Sequence, residues 1–257
     1  IKNDLKSLKF FINKLGILPT DFNIDHYLQL CEEQLLTESN YRLEAENICK
    51  YSELCCSNDY FKLPKVLDNF STDEILTMSF EEGSELSSDI LLEKSEKNIL
   101  AKKLIELLLD EIFIFQFVQT DPNLANFLFK PDEKKITLLD FGSCSKVSDE
   151  TKELYAVLLD IGLTLDREKI KACLLNIGFF PAKVDTDLDN LINELIDTVI
   201  DELKTYENFN FSASRIFDLM EMENLKKFEK MIPKKLLNGD FVFIQRKILG
   251  FLLFFRS

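Results

Sequence analysis

The sequence is short of the residues that mark disordered, fibrous or zinc-binding chains. Its 257 residues include only seven glycines and six prolines, and 46% of them are hydrophobic, which indicates a compact globular protein. Histidine occurs once, as His26, and none of the six cysteines forms a Cys-x-x-Cys pair. We therefore expect no zinc site and interpret the cysteines as reduced thiols.

Basic residues and long hydrophobic runs are also scarce. The chain has 31 lysines and arginines against 45 aspartates and glutamates, which gives a net charge of −14. Proteins that hold nucleic acid neutralise its phosphates with clustered basic residues, so no nucleic-acid partner is expected. The longest apolar run, within residues 248–255, is shorter than the roughly 18 residues that span a bilayer. Because the sequence begins at Ile1 rather than methionine, we expect it to be a fragment of a longer chain.

The hydrophobic pattern changes period along the chain. Residues 24–54 have helical spacing and predict one long helix, whereas residues 61–66 and 74–80 are short apolar segments that predict two strands of an antiparallel sheet. The polar residues 81–84 include Gly83 and predict a linker.

Beyond this point the pattern is mainly helical. An apolar stripe over residues 100–115 predicts a buried helix, and apolar segments at 127–129 and 136–139 flank a turn at 131–133, which predicts a hairpin. Further helices are predicted at residues 149–160, 166–177, 186–206, 213–231 and 240–255. This order is typical of an α+β, bilobal protein-kinase-like fold, with a partial small lobe in residues 1–83 and a larger helical lobe in 84–257.

Three polar residues around the predicted hairpin have the spacing of a phosphoryl-transfer site. Asn126 follows Asp121 by five residues, and Asp140-Phe141-Gly142 follows the second hairpin strand. In protein kinases a catalytic-loop Asp is followed five residues later by an Asn, and an Asp-Phe-Gly motif comes after a short hairpin. Phosphoryl transfer needs oxygen ligands for Mg²⁺ and a carboxylate that orients the acceptor, and these residue types supply both. Taken alone, the segment from Asp121 to Asn123 is more often an ordinary turn, and Asp-Phe-Gly occurs by chance in many proteins. The order and spacing together carry the prediction.

The surrounding residues resemble the UbiB/ADCK family of atypical kinases. Residues 117–127 read FVQTDPNLANF and lead into LLDFG at residues 138–142. The branch of that family that serves mitochondrial coenzyme Q synthesis carries Gln-Thr-Asp-Pro-Asn, an aromatic residue, one variable residue and Asn-Phe. This chain follows that form, with Leu124 in place of the aromatic residue.

The resemblance extends to both sides of this motif. Residues 34–47 are similar to a helix of the family, which implies that Glu38 pairs with the ATP-binding lysine and that Glu44 lies near the nucleotide; on residue type alone both fit an exposed helix face. Residues 63–66 and 75–78 are similar to the strands before the hinge, which implies nucleotide contacts from Thr77 and Met78. Ser79 stands where the family usually has a glutamate. Residues 245–250 are similar to the family's His-Arg-Lys helix.

The resemblance implies an ATP- and Mg²⁺-dependent ATPase or phosphotransferase that supports coenzyme Q (ubiquinone) biosynthesis. Asp121 would orient or deprotonate the acceptor, and Asn126 and Asp140 would bind Mg²⁺. The expected partners are a nucleotide, lipid precursors of coenzyme Q, an anionic membrane surface and coenzyme Q biosynthetic proteins, on the matrix side of the mitochondrial inner membrane. The ATP-binding lysine, an alanine-rich loop and a Lys-x-Gly-Gln extension are expected before Ile1.

Two other functions remain open. The chain could be a pseudokinase scaffold that keeps the fold as a binding module, although all three motif residues are retained. It could also be a small-molecule phosphotransferase of the aminoglycoside or choline kinase type, which uses a similar Asp and Asn spacing. Those enzymes typically carry a histidine before the loop aspartate, where this chain has Gln119 and Thr120.

Overall fold

The computed structural model describes residue 28 and residues 40–56, 58–86, 92–177, 185–205, 211–215, 217 and 239–256. The chain divides into two compact units, Ile1–Ser145 and Lys146–Ser257. The predicted lobe boundary at residue 83 stays a prediction.

The helix α1, Tyr41–Leu54, begins at a polar cap. Asn40 has non-helical backbone angles, and its side-chain oxygen accepts a hydrogen bond from the Leu43 N–H at 3.1 Å. An Asn at this position satisfies one of the amide groups that a helix leaves unpaired at its start. The prediction of one continuous helix over residues 24–54 is therefore wrong at Asn40, whose backbone is not helical. Glu38 lies outside the described residues.

A four-stranded sheet forms the centre of the first unit. Its order is β1 (Phe61–Lys62), β5 (Lys135–Leu138), β4 (Phe127–Lys130) and β2 (Ser84–Glu85), with β1 parallel to β5 and the other pairs antiparallel. Phe127, Phe129, Ile136 and Leu138 are buried in this sheet. The predicted hairpin is confirmed as β4 and β5, with a turn over residues 131–134.

The other strand predictions need correction. Residues 61–66 and 74–80 do meet in antiparallel fashion, but only through an isolated bridge between Val66 and Met78, and the regular strand β1 pairs with β5 instead. Pro64 has no N–H to donate, which ends the strand after Lys62. The predicted linker is also shorter than expected, because Ser84 already belongs to β2.

Helix α2, Lys94–Asp110, supplies the main apolar face of this unit. Leu100, Leu104, Leu107 and Leu108 are buried, which confirms the predicted stripe. The helix widens into a π-helical segment, Glu111–Phe115, and ends at Gln116, whose φ of 46° is left-handed. This reversal directs the chain into β3, Phe117–Gln119, which pairs with β6, Cys144–Lys146.

The second unit is helical in its described part. It contains α3 (Asp149–Leu163), α4 (Arg167–Asn176), α5 (Thr186–Thr205) and α6 (Gly239–Arg256), which confirms four predicted helices to within a few residues. The fifth, at 213–231, lies largely outside the described residues. One face of α5 packs against α4 through a core of Leu188, Leu191, Ile192, Ile196 and Ile200. The ring of Tyr155 in α3 stacks on Phe241 in α6 at 5.5 Å.

Candidate active site

The loop between β3 and β4 is held by side chains of its own. The Asn126 side-chain amide donates to Asp121 Oδ2 at 2.6 Å, and Asp121 Oδ1 accepts from the Asn123 N–H at 3.3 Å. Asn123 in turn accepts from the Ala125 N–H at 3.2 Å and caps the 3₁₀ turn Leu124–Asn126. Short Asp and Asn side chains close such turns because they reach backbone amides two residues ahead. The structure thus brings two of the predicted site residues, Asp121 and Asn126, into direct contact.

The hairpin places Asp140 beside this loop. The Leu139 N–H donates to the Asn126 carbonyl at 2.9 Å, so Asn126 lies across from the residue that precedes Asp140. Asp140 Oδ1 accepts from the Gly142 N–H at 2.9 Å, and its carbonyl accepts from Gln119 Nε2 at 3.2 Å. Two hydrogen bonds therefore connect the segment of Asp121 and Asn126 to that of Asp140: one from Leu139 to Asn126 and one from Gln119 to Asp140.

A second connection between the motifs runs through Thr120 and Ser143. The Thr120 N–H donates to the Ser143 carbonyl at 2.8 Å, and the two hydroxyl oxygens lie 2.6 Å apart. Both side chains are buried. Buried polar groups that satisfy each other fix a single arrangement of the backbone, so the residue before Asp121 is tied to the segment after Asp140.

Helix α1 carries an acidic residue to the same site. Glu44 is buried, and its Oε1 accepts from the Phe141 N–H at 3.4 Å. Burial raises the pKa of Glu44, the charge of Asp140 raises it further, and the hydrogen bond from Phe141 opposes both effects. Three residues on, Asn47 donates to the Phe141 carbonyl at 2.9 Å, so both backbone groups of Phe141 are bound by α1.

A buried tyrosine lies behind the Asp-Phe-Gly motif. Tyr51 is fully buried, its ring lies 4.9 Å from that of Phe141, and its hydroxyl donates to Glu111 Oε1 at 2.6 Å. The same oxygen accepts from the Gln119 N–H at 3.0 Å. Burial and the neighbouring Glu111 carboxylate raise the pKa of Tyr51 well above its ordinary value, which keeps its hydroxyl a donor.

The residues predicted for the hinge are held within their own loop. The Thr77 hydroxyl donates to the Phe70 carbonyl at 2.7 Å, and the Thr77 N–H donates to Ser71 Oγ at 3.0 Å. Met78 forms an isolated antiparallel β-bridge with Val66. Nucleotide contacts from Thr77 and Met78 stay a prediction.

The next residues of this loop are joined by side-chain contacts. Ser79 Oγ accepts from the Lys65 N–H at 2.9 Å and donates to Glu81 at 2.7 Å, and Glu81 pairs with Lys62 at 2.6 Å. Phe80 between them is 88% exposed.

Binding of a metal by Asn126 and Asp140 stays a prediction. Asn126 uses its amide nitrogen on Asp121, which leaves its oxygen, the atom type that Mg²⁺ binds. Among the described residues no group of three or more Asp, Glu, His and Cys could hold a metal ion by itself. A cation between Asn126 and Asp140 would take its remaining ligands from a phosphate group or water, as Mg²⁺ commonly does.

Sequence reasoning missed the supporting residues of this site. Asn47 lies within the quoted helix motif, and its spacing of three from Glu44 places both on one helix face, which was the available signal. Glu111 lies three residues after Leu108 and so falls on the apolar face of α2. A charged residue on such a face signals a buried contact. Nothing in the sequence pairs Glu111 with Tyr51, 60 residues away.

The chain is similar to proteins of one family over most of its length. A family model described as an ABC1 atypical kinase-like domain matches residues 1–174. "Atypical kinase COQ8, mitochondrial" of Saccharomyces cerevisiae is 29% identical over 222 residues, which cover 86% of this chain and 43% of that protein. "Atypical kinase COQ8B, mitochondrial" of Rattus norvegicus is 30% identical over 170 residues, which cover 66% and 32%. The chain thus spans less than half the length of these relatives.

A solved structure has the same fold. The complex of Rv3197 with erythromycin from Mycobacterium tuberculosis superimposes with a TM-score of 0.70 at 16% identity, over 99% of this chain and 63% of that one. Together with the family match, this likeness confirms the predicted α+β, kinase-like fold. In the part of the chain that the structure describes, no helix combines the length and the apolar character needed to cross a membrane.

Proposed function

The chain belongs to the ABC1 atypical kinase-like family, as its motifs indicated, and from this premise we propose that it is an ATP- and Mg²⁺-dependent ATPase or phosphotransferase. The observation that carries the proposal is the hydrogen bond between Asn126 and Asp121, next to Leu139, which bonds to the Asn126 carbonyl and precedes Asp140. Glu44 of α1 accepts from the backbone N–H of Phe141, the residue after Asp140. In this proposal Asp121, Asn126 and Asp140 are the acceptor-orienting and metal-binding groups that phosphoryl transfer requires.

Each of these residues has a separate task in this proposal. Asp121 faces the phosphoryl acceptor, either water or a hydroxyl group, and the Asn126 amide fixes the orientation of its carboxylate. Asp140 and the Asn126 oxygen are the protein ligands of Mg²⁺. The metal, when bound with nucleotide, neutralises charge on the phosphates. Glu44 positions Phe141, and with it the metal-binding motif. The roles of Glu38, Thr77 and Met78 at the nucleotide rest on the family resemblance alone.

Binding of ATP is the first property to test. The protein in its full natural length is heated with and without Mg²⁺ and ATP, beside Asp140→Asn and the matched control Asp132→Asn, an exposed residue of the hairpin turn. A ligand at about one hundred times its Kd adds about 2.7 kcal/mol of stability, which corresponds to a midpoint shift of roughly 5–10 °C in a domain of about 150–250 residues. We expect this shift in the wild type and the control but not in Asp140→Asn.

Other outcomes of the binding test distinguish the alternatives. An equal shift in Asp140→Asn would remove that residue from the metal site. No shift in any variant would favour the scaffold function. Where binding is present, Asp121→Asn should abolish phosphate release and retain the ATP-induced shift, since Asp121 acts on the acceptor rather than on the nucleotide.

We infer the biological role from the names of the relatives. We propose that the protein supports coenzyme Q biosynthesis in mitochondria, in contact with coenzyme Q precursors, an anionic membrane surface and other biosynthetic proteins, because relatives in yeast and rat are named mitochondrial atypical kinases COQ8 and COQ8B. The test is coenzyme Q content in a yeast strain whose own COQ8 gene is deleted. Restoration by the wild type but not by Asp140→Asn supports the role, and equal failure of both opposes it.

A further inference from the structure

We propose that Tyr51 and Glu111 form a buried positioning pair, which holds the strand ahead of Asp121 in place against the Asp-Phe-Gly motif. The inference deepens the proposed function and rests on it for its kinetic consequence. One carboxylate oxygen of Glu111 accepts both the Tyr51 hydroxyl at 2.6 Å and the Gln119 N–H at 3.0 Å.

The location of the pair makes its hydrogen bonds strong. Both side chains are fully buried, at 0% exposure. A hydrogen bond to a carboxylate is stronger than one between neutral groups, and water does not compete for it in the interior. Loss of the hydroxyl would leave Glu111 with one fewer donor in a place that offers no solvent to replace it.

The pair connects the two catalytic motifs through Gln119. The backbone of Gln119 is bound by Glu111, and its side-chain amide donates to the Asp140 carbonyl at 3.2 Å. Gln119 ends β3, two residues before Asp121. A shift of Gln119 would therefore move the acceptor-orienting carboxylate relative to the metal-binding motif. Misplacement of such groups by a fraction of an ångström lowers the rate of the chemical step more than it lowers substrate affinity.

Helix α1 packs against the Asp-Phe-Gly motif and the residues around β3 through the ring of Tyr51. The ring contacts those of Phe141 at 4.9 Å, Phe115 at 5.9 Å and Phe117 at 6.4 Å. These aromatic contacts hold the ring whether or not a hydroxyl is present. Tyr51→Phe therefore removes the hydrogen bond and keeps the packing, which makes it the appropriate variant for the test.

The kinetic test uses ATP turnover by the full-length protein. We expect Tyr51→Phe to lower kcat roughly five- to tenfold with the KM for ATP changed less than about twofold, since a small displacement of the oriented groups slows the chemical step. Glu111→Gln, which keeps an acceptor oxygen, should retain most of the activity. The matched control is Tyr155→Phe, which removes another buried hydroxyl, bound to Gln245 at 2.8 Å in the second unit. It should lower the unfolding temperature and leave kcat unchanged.

A second measurement needs no nucleotide. Amide hydrogen exchange should become faster in Tyr51→Phe for peptides that cover residues 117–123 and 140–144, and stay unchanged there in Tyr155→Phe. If exchange and kcat in Tyr51→Phe match the control, the positioning role is wrong. If the wild type neither binds nor hydrolyses ATP, the proposed function fails, and the exchange rates alone decide whether the pair holds the strand.

Discussion

The side-chain amide of Asn47 donates to the carbonyl oxygen of Phe141 over 2.9 Å, although the two residues are 94 positions apart. Glu44, one helical turn earlier, accepts from the N–H of the same residue. One face of α1 therefore binds both the N–H and the carbonyl group of Phe141, the middle residue of the Asp-Phe-Gly motif. This arrangement connects α1 to the proposed metal-binding motif, although none of its described residues belongs to the loop of Asp121.

Loss of the Asn47 amide should destabilise the protein. Asn47→Ala leaves the Phe141 carbonyl without its α1 donor in a buried place, which costs about 1–3 kcal/mol of unfolding free energy. Urea denaturation measures this change, and Asn98→Ala at an exposed position of α2 is the control, expected to be nearly neutral. Equal stability of the two variants would mean that the Asn47 contact contributes little.

Glu44 should make the stability of the nucleotide-free protein fall as the pH rises. Its folded pKa lies above the ordinary value of 4.5, so the folded state binds more protons than the unfolded state between those two values. The free energy of unfolding therefore decreases as the pH rises from 4.5 to the folded pKa of Glu44, and this penalty is fully present above that pKa. Glu44→Gln should remove it, so that the variant gains stability relative to the wild type at pH 7.5 but not at pH 4.

Urea denaturation at the two pH values measures this difference. Glu46→Gln, an exposed neighbour on the same helix, is the control and should follow the wild type at both values. A Glu44→Gln profile parallel to that of the wild type would contradict the assigned pKa direction.

Two glycines should respond to alanine with opposite signs. A Cβ on Gly83 would lie 2.8 Å from Leu128 Cβ and 3.2 Å from the Phe129 carbonyl oxygen, so Gly83→Ala must separate β2 from β4 and should cost about 1–3 kcal/mol. A Cβ on Gly162 in α3 would meet nothing within 4 Å, so Gly162→Ala should stabilise the protein by up to about 1 kcal/mol. Thermal unfolding distinguishes them, and a change of the same sign in both would refute the close approach at Gly83.

Asp240 should contribute stability that acid removes. It accepts the N–H and the hydroxyl of Ser148, the cap of α3, at 2.9 and 2.8 Å. Burial raises the pKa of Asp240, but the hydrogen bonds from Ser148, Thr151 and Phe241 outweigh this effect, and the pKa lies below its ordinary value of 3.8. The contribution is present above that value and disappears as the pH falls through the folded pKa.

Asp240→Asn should therefore destabilise the protein by about 1–2 kcal/mol at pH 7, and by less at pH 3. Unfolding by urea at both pH values measures the difference, with Asp160→Asn at an exposed position of α3 as the control. A loss that is the same at both values would show that the carboxylate charge is not involved.

The parts of the fold that follow from local signals were predicted well. The hairpin of β4 and β5 has alternating burial in β4 and a turn rich in charged residues, and the helices α3 to α6 follow their apolar spacing. The strands in residues 61–80 were predicted less well, because their pairing is not local. Phe61 pairs with Ile136, 75 residues later, and no pattern within residues 61–66 encodes that partner.

By itself, the sequence determined the identity and order of the proposed catalytic groups. Asp121, Asn126 and Asp140 are set by spacing along a hairpin, where neighbours in the chain are neighbours in space. Only the tertiary structure decided which distant residues support them: Asn47 and Glu44 on Phe141, and the Tyr51 hydroxyl on Glu111. The physical reason is that such contacts depend on how helices pack against the hairpin, and burial then selects the few polar groups that can satisfy one another.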